Sequence, residues 1–189
     1  VRDANGCNTP VSVTISQPSQ VTAAISNITN PLCFGQNTGS ATVIAGGGTP
    51  GYSYSWSSSG SNSNTATNLG SGNYIVTVTD LNGCTATSTA TITAPTQVTA
   101  SVSPTQIRCN GANNGSAQAI AGGGNTPYTY TWTPSGGNGS LATGLSPGNY
   151  TVTVSDNNGC STSSSTIITQ PAPLILTTTP TSILCYGLS

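Results

Sequence analysis

This chain repeats itself at a fixed interval. Cys33 and Cys109, Trp56 and Trp132, Tyr74 and Tyr150, Cys84 and Cys160, and Pro95 and Pro171 each stand 76 residues apart. The run Gly46-Gly47-Gly48 followed by Tyr52-Ser53-Tyr54-Ser55-Trp56 returns as Gly122-Gly123-Gly124 followed by Tyr128-Thr129-Tyr130-Thr131-Trp132. A long fixed period means one folding unit copied in tandem. Tandem arrays lend themselves to reach, spacing and multivalency more than to chemistry.

The period divides the chain into a C-terminal part of one copy at residues 1–18, complete copies at 19–95 and 96–171, and an N-terminal part of a further copy at 172–189. Asp3-Ala4-Asn5-Gly6-Cys7 matches Asp80-Leu81-Asn82-Gly83-Cys84, and Ser182-Ile183-Leu184-Cys185-Tyr186-Gly187 matches Gln106-Ile107-Arg108-Cys109-Asn110-Gly111. The chain therefore reads as a window cut from a longer protein.

Charge is nearly absent: Arg2, Arg108, Asp3, Asp80 and Asp156 are the only charged side chains among 189 residues. Ordinary soluble domains carry about a quarter charged residues. Nucleic-acid binding needs a basic footprint to neutralise phosphates, so that class is excluded. The same deficit argues against anionic membrane surfaces, and no apolar run of spanning length points to membrane insertion. Weak self-repulsion leaves association between chains tolerated. Gly, Ser, Thr and Asn dominate, as in disordered spacers, but the aromatic and Val/Ile positions recur in strict alternation, which a spacer has no reason to keep.

Period-two patterning marks the strands of a copy. Val21-Thr22-Ala23 opens an extended segment interrupted near Asn30-Pro31, and Ser40–Ala45 is a second run ended by three glycines. Tyr52, Tyr54 and Trp56 share one face of a third, and Thr65–Leu69 is a short fourth. Tyr74, Val76 and Val78 share a face of the clearest strand, and Ala86, Ala90 and Ile92 alternate along the last, after Cys84. Alternating β-branched and aromatic residues with Gly, Asn and Pro punctuation are the strand signature, and no segment has a helical period.

Asp80-Leu81-Asn82-Gly83 and Asp156-Asn157-Asn158-Gly159 are hairpin signals, because Asn-Gly tolerates positive φ. Leu69 with Gly72-Asn73-Tyr74, repeated as Leu145 with Gly148-Asn149-Tyr150, resembles the tyrosine corner of immunoglobulin-like sandwiches. Six or seven short strands, one Trp on the third strand and that corner predict tandem immunoglobulin-like β-sandwiches, all-β, arranged as a rod. So small a core gains materially from a covalent staple.

Six cysteines, Cys7, Cys33, Cys84, Cys109, Cys160 and Cys185, fall in two contexts, Cys-x-Gly and Asn-Gly-Cys. No His and no Cys-x-x-Cys pair supports a zinc site. A disulfide framework formed in an oxidising, extracellular setting fits better. Two pairings stay open: within a copy (Cys33–Cys84 and Cys109–Cys160), or between copies (Cys33–Cys160). The first requires both turns at one end of the sandwich. The second follows if an odd number of strand passes, taken as seven, puts them at opposite ends.

Cys-x-Gly, Gly-Ser-Ala, the glycine-rich turn, Tyr-x-Tyr-x-Trp, Leu-x-x-Gly-Asn-Tyr-x-Val-x-Val-x-Asp in the copy with Asp80 and its counterpart with Asp156, Asn-Gly-Cys and a closing Ile-Thr-x-Pro together resemble the SprB repeat. That repeat occurs in very large cell-surface adhesins of gliding Bacteroidetes. The resemblance implies export by the type IX secretion system and a filament carried over the cell surface during gliding.

No catalytic constellation is present, and no cofactor is expected. General acid–base work would fall to Asp3, Asp80 and Asp156, which occupy equivalent places in different copies. No base exists to activate a serine. A calcium loop would need further oxygen ligands and a distal Glu, so no metal is expected and the aspartates are read as acceptors within their own turns. Trp56 and Trp132 are read as core residues ahead of sugar-stacking platforms. Outward rows such as Thr77/Thr79 and Thr151/Thr153 read as solvated faces, sugar acceptors or flat packing surfaces; uncharged, they lack the usual guard against strand-to-strand association.

The expected function is a structural and adhesive stalk of an extracellular, cell-surface filament. Its partners would be neighbouring repeats of the same chain, other filament chains, surface polysaccharide or a substratum. A carbohydrate-binding accessory array of a secreted polysaccharide-degrading protein is the alternative, and a self-assembling or ice-binding sheath a third.

Overall fold

The computed structural model describes residues 1–180; the segment around Cys185, expected to open a further copy, lies outside the described residues. Two compact units form, Val1–Ala94 and Pro95–Ser189. The described residues contain strands, turns and bends and no helix. The expectation of an all-β, immunoglobulin-like sandwich therefore holds.

The first unit has six strands: β1 (Thr22–Thr29), β2 (Gly39–Gly46), β3 (Ser53–Trp56), β4 (Thr65–Leu69), β5 (Gly72–Thr79) and β6 (Thr85–Ile92). They make two antiparallel sheets ordered β1-β2-β4 and β3-β5-β6, with β1 packed on β6 across the sandwich. The second unit repeats this with β7 (Thr99–Thr105), β8 (Gly115–Gly122), β9 (Thr129–Thr133), β10 (Leu141–Leu145), β11 (Gly148–Ser155) and β12 (Ser161–Ile168), in sheets β10-β8-β7 and β12-β11-β9.

Alternation decides which face is buried. Val76 and Val78 on β5 are fully buried, as are Val152 and Val154 on β11, while the intervening threonines face outward. Opposite them lie Ala41 and Val43 of β2, with Leu69 and Ile92 closing the core from the far ends of β4 and β6. Each buried Val, Leu or Ile contributes about 1.5–3 kcal/mol. Three alanines, Ala41, Ala66 and Ala90, also belong to this core.

The strand count bears on the cysteines. β3 pairs with β5 only from Ser53 to Trp56, and β4 pairs with β2 from Thr65 onward, so β3 and β4 run the same way, each over part of the sandwich height. The 57–64 loop joins them by crossing from one sheet edge to the other. β3 and β4 thus act as one pass that changes sheets midway. The chain makes five passes per unit and not the seven expected, but the number stays odd. Entry before β1 and exit after β6 lie at opposite ends of each unit, and so do the Cys33 turn and the Cys84 hairpin.

Candidate functional site

The residues that set this repeat apart gather at two poles of each unit. The entry pole carries the Asn-Gly-Cys hairpin, the three-glycine turn and the incoming chain. The exit pole carries the Cys-x-Gly turn.

At the entry pole of the first unit, Asp80 organises three segments. Its Oδ1 accepts from the N–H groups of Asn82 (3.0 Å) and Cys84 (2.8 Å), closing its own hairpin. Its Oδ2 accepts from the Thr49 N–H at 2.8 Å, reaching the three-glycine turn. Asn82 Nδ2 donates to Thr49 Oγ1, and the Leu81 N–H to the Thr49 carbonyl, so the contact is reciprocal. Asp156 repeats the pattern with Asn158 and Cys160 on Oδ1 and Asn125 on Oδ2, each at 2.9 Å. Asp3, in the partial copy, accepts from Asn5 and Cys7. The hairpin is a three-residue loop in which Gly83 (φ +84°) and Gly159 (φ +81°) alone take the left-handed conformation.

Both full-copy aspartates are buried, and their carboxyls are held below the ordinary value. At Asp80 the Thr49 N–H does most, burial opposes it, and the Cys84, Asn82 and Gly83 amides add to the lowering. At Asp156 burial is the largest influence and pushes upward, but the Asn125, Cys160, Asn158 and Gly159 amides together outweigh it. A buried carboxylate stays charged when several N–H groups point at it. Among the described residues no group of three or more His, Cys, Asp or Glu side chains converges on one point.

The glycine run matters more than its place at a strand end revealed. A Cβ on Gly48 (φ +59°) would sit 2.6 Å from Asp80 Oδ2 and from Val21 Cγ2, and Gly124 (φ +58°) stands in the same relation to Asp156 and Val98. The Gly48 N–H donates to the Ser19 carbonyl, and that of Gly124 to Thr96, pinning the incoming chain. The available signal was the retention of all three glycines ahead of an Asp-x-Asn-Gly hairpin.

Aromatic residues brace the same scaffold. Tyr74 donates to the Gly70 carbonyl at 3.3 Å and Tyr150 to that of Ser146 at 3.1 Å, four residues back in each case, which is the tyrosine-corner geometry. Trp56 and Trp132 are 3% and 5% exposed, and their indole N–H groups donate to Ser63 and Gly139. Neither offers a stacking platform. The outward face of the β12-β11-β9 sheet is a grid of hydroxyls, with Thr131, Thr153 and Ser163 in one cross-strand row and Thr133, Thr151 and Ser165 in the next.

The cysteines divide unexpectedly. Cys33 and Cys160 are disulfide-bonded, whereas Cys7, Cys84 and Cys109 carry exposed free thiols. The within-copy pairings Cys33–Cys84 and Cys109–Cys160 therefore do not form. Geometry supplies the reason: an eight-residue strand separates the two positions by roughly 25 Å, and a disulfide needs Cα atoms within about 7 Å.

Two segments of the chain, residues 25–61 and 101–137, match the SprB repeat. The segments are themselves 76 residues apart and each runs from the first strand of a unit to the loop after its tryptophan. No curated protein matches the chain at a significant level. Among solved structures, the chain resembles a Dscam structure addressing isoform specificity (17% identity, TM-score 0.36, 82% of this chain and 47% of that one). It also resembles the amphioxus IgVJ-C2 molecule (16%, TM-score 0.33, 82% and 98%). A third likeness is to the C-terminal 282-residue fragment of intimin in complex with the Tir intimin-binding domain (17%, TM-score 0.40, 76% and 63%). The chain spans about half the length of two of the Dscam structures it matches and a quarter of a third. The fold assignment rests on strand order and the tyrosine corner, not on these likenesses.

Proposed function

We propose that this chain is a mechanical and adhesive segment of a long extracellular surface filament, a stalk built of small oxidised β-sandwich beads. The observation that carries the reading is the repeated bead itself: chain entry and exit lie at opposite ends, and an aspartate, a glycine turn and a tyrosine corner brace it. Beads of that kind pass tension through backbone ladders and not through a reactive site. The two segments matching the SprB repeat and the disulfide-bonded cysteines support a cell-surface location. The same match supports the finer reading of a gliding-motility adhesin exported by type IX secretion. No nucleophile–base pair supports an enzymatic role. Antibodies against residues 19–171 should label intact cells of the source organism. Labelling only after permeabilisation would refute the surface location. Beads coated with the segment should adhere to a substratum steeply with coating density, as many weak contacts require; adhesion no better than uncoated beads would refute the adhesive part.

A second reading, a carbohydrate-binding array, is favoured by one observation, the uncharged hydroxyl grid on the β12-β11-β9 sheet. Selective retention of one glycan class on an array, lost on Thr153→Ala, would support it; no retention leaves the stalk.

A further inference from the structure

The oxidation states of the cysteines carry an inference independent of what the filament binds. In the first unit the Cys-x-Gly cysteine, Cys33, is oxidised and the Asn-Gly-Cys cysteine, Cys84, is free. In the second unit the pattern is reversed, with Cys160 oxidised and Cys109 free. Each position therefore occurs once in each state, on the same scaffold and in the same local sequence. Neither position is intrinsically inert, and neither takes its own unit's other cysteine as partner, because the two stand at opposite poles.

The surroundings of the two thiols point the same way. Cys84 lines a groove of about 270 Å³ with Gln17, Ser19, Val21, Gly48 and Asp80, all at the entry pole of its unit. Cys109 lines one of about 360 Å³ with Arg108, Asn110, Pro171 and Leu174 at the exit pole. Both grooves are built on fixed backbone. Asp80 Oδ1 holds the Cys84 N–H, while Asn110 Nδ2 donates to the Pro171 carbonyl and the Gly111 N–H to Gln170 Oε1. Apart from Asp80, whose oxygens are engaged by amides, and Arg108, nothing charged stands at either groove to repel a neutral copy of the same repeat.

We propose that the two cysteines of each repeat are complementary halves of a copy-to-copy disulfide, and that Cys84 and Cys109 are open halves for further copies. Cys84 takes the Cys-x-Gly cysteine of another copy, and Cys109 takes an Asn-Gly-Cys cysteine. Bond formation joins two sulfurs and releases two protons and two electrons. A low-molecular-weight disulfide accepts them in two exchanges: one thiolate forms a mixed disulfide and frees the first thiol of the reagent, and the second thiolate displaces the other. Oxidised glutathione thus gives one protein disulfide and two glutathione molecules. The result is an open, directional chain of covalently joined beads, the heterologous mode of association that does not close on itself.

The test uses the whole chain with Cys7→Ser and Cys185→Ser, incubated with oxidised glutathione. Covalent multimers reversed by reductant are expected on non-reducing gels. Cleavage before aspartate and after arginine leaves one cysteine in each of the peptides 3–79, 80–108, 109–155 and 156–189. Peptides 80–108 and 109–155 should then be linked, and between molecules. With Cys84→Ser or Cys109→Ser added, each variant alone should stay monomeric, and an equal mixture of the two should give the covalent dimer. Dimers of either variant by itself, an 80–108 to 109–155 link within monomers, or glutathione adducts with no cross-link would each overturn the proposal.

Discussion

Thr49 and Asp80, 31 residues apart in sequence, are joined by a 2.8 Å hydrogen bond from the Thr49 N–H to Asp80 Oδ2. Through it the three-glycine turn of one sheet is tied to the last hairpin of the other, so the entry pole closes on a single carboxylate. Asp80→Ala leaves the Thr49, Asn82 and Cys84 amides without their acceptor, and Asp80→Asn keeps the shape but loses the charge. Thermal unfolding followed by circular dichroism should show both midpoints several degrees lower, with alanine the worse. An unchanged midpoint for Asp80→Ala would mean that the pole is held by other contacts.

The same carboxylates give the pH dependence a sign. Their folded pKa lies below the ordinary 3.8 of the unfolded chain. Stabilisation from ionised Asp80 and Asp156 is thus fully present above about pH 4, and is lost as pH falls through the lower, folded value. Stability should be flat from pH 5 to 8, since no histidine titrates there. The urea midpoint should drop below pH 4 in the wild type, and less in Asp80→Asn/Asp156→Asn.

Glycine positions separate strain from collision. Gly48→Ala places a Cβ 2.6 Å from Asp80 Oδ2 at a left-handed backbone position, so both penalties apply. A loss of about 2–4 kcal/mol is expected. Gly83→Ala meets nothing within 4 Å and bears only the backbone penalty of about 1–2 kcal/mol. Denaturant titration of the two variants should rank them in that order.

The braces differ in weight. Trp132→Ala empties a buried site and should cost about 3–5 kcal/mol, a large part of the stability of so small a unit. Tyr150→Phe loses only the hydroxyl bond to Ser146 and should cost about 1 kcal/mol.

Thiol states are directly readable. Alkylation of the native chain should modify Cys84 and Cys109 and spare Cys33 and Cys160 until reductant is added. Modification of all four, or of none, contradicts the assignment.

The parts of the fold set by local pattern were legible in the sequence. Val76 and Val78 alternate with Thr77, Gly83 supplies its turn, and Tyr74 follows a loop of the right length, so β5, the hairpin and the corner could be read from residues alone. The midway sheet change between β3 and β4 was not legible. It depends on where Trp56 stops pairing with Val76 and Thr65 begins pairing with Thr42, which is a long-range matter with no local signature. The cysteine outcome turned on the parity of strand passes, which pattern alone fixes poorly. The collision of Gly48 with Asp80 was equally hidden, because it joins residues 32 apart that touch only after both sheets form.

Mechanical unfolding of the single chain under reductant shows whether each unit bears load on its own. Two force peaks are expected, one per unit, each releasing about 210 Å of chain as the roughly 70 residues from its first strand to its last extend. A featureless extension, or a single event releasing both units at once, would contradict a chain of separate load-bearing β-sandwiches.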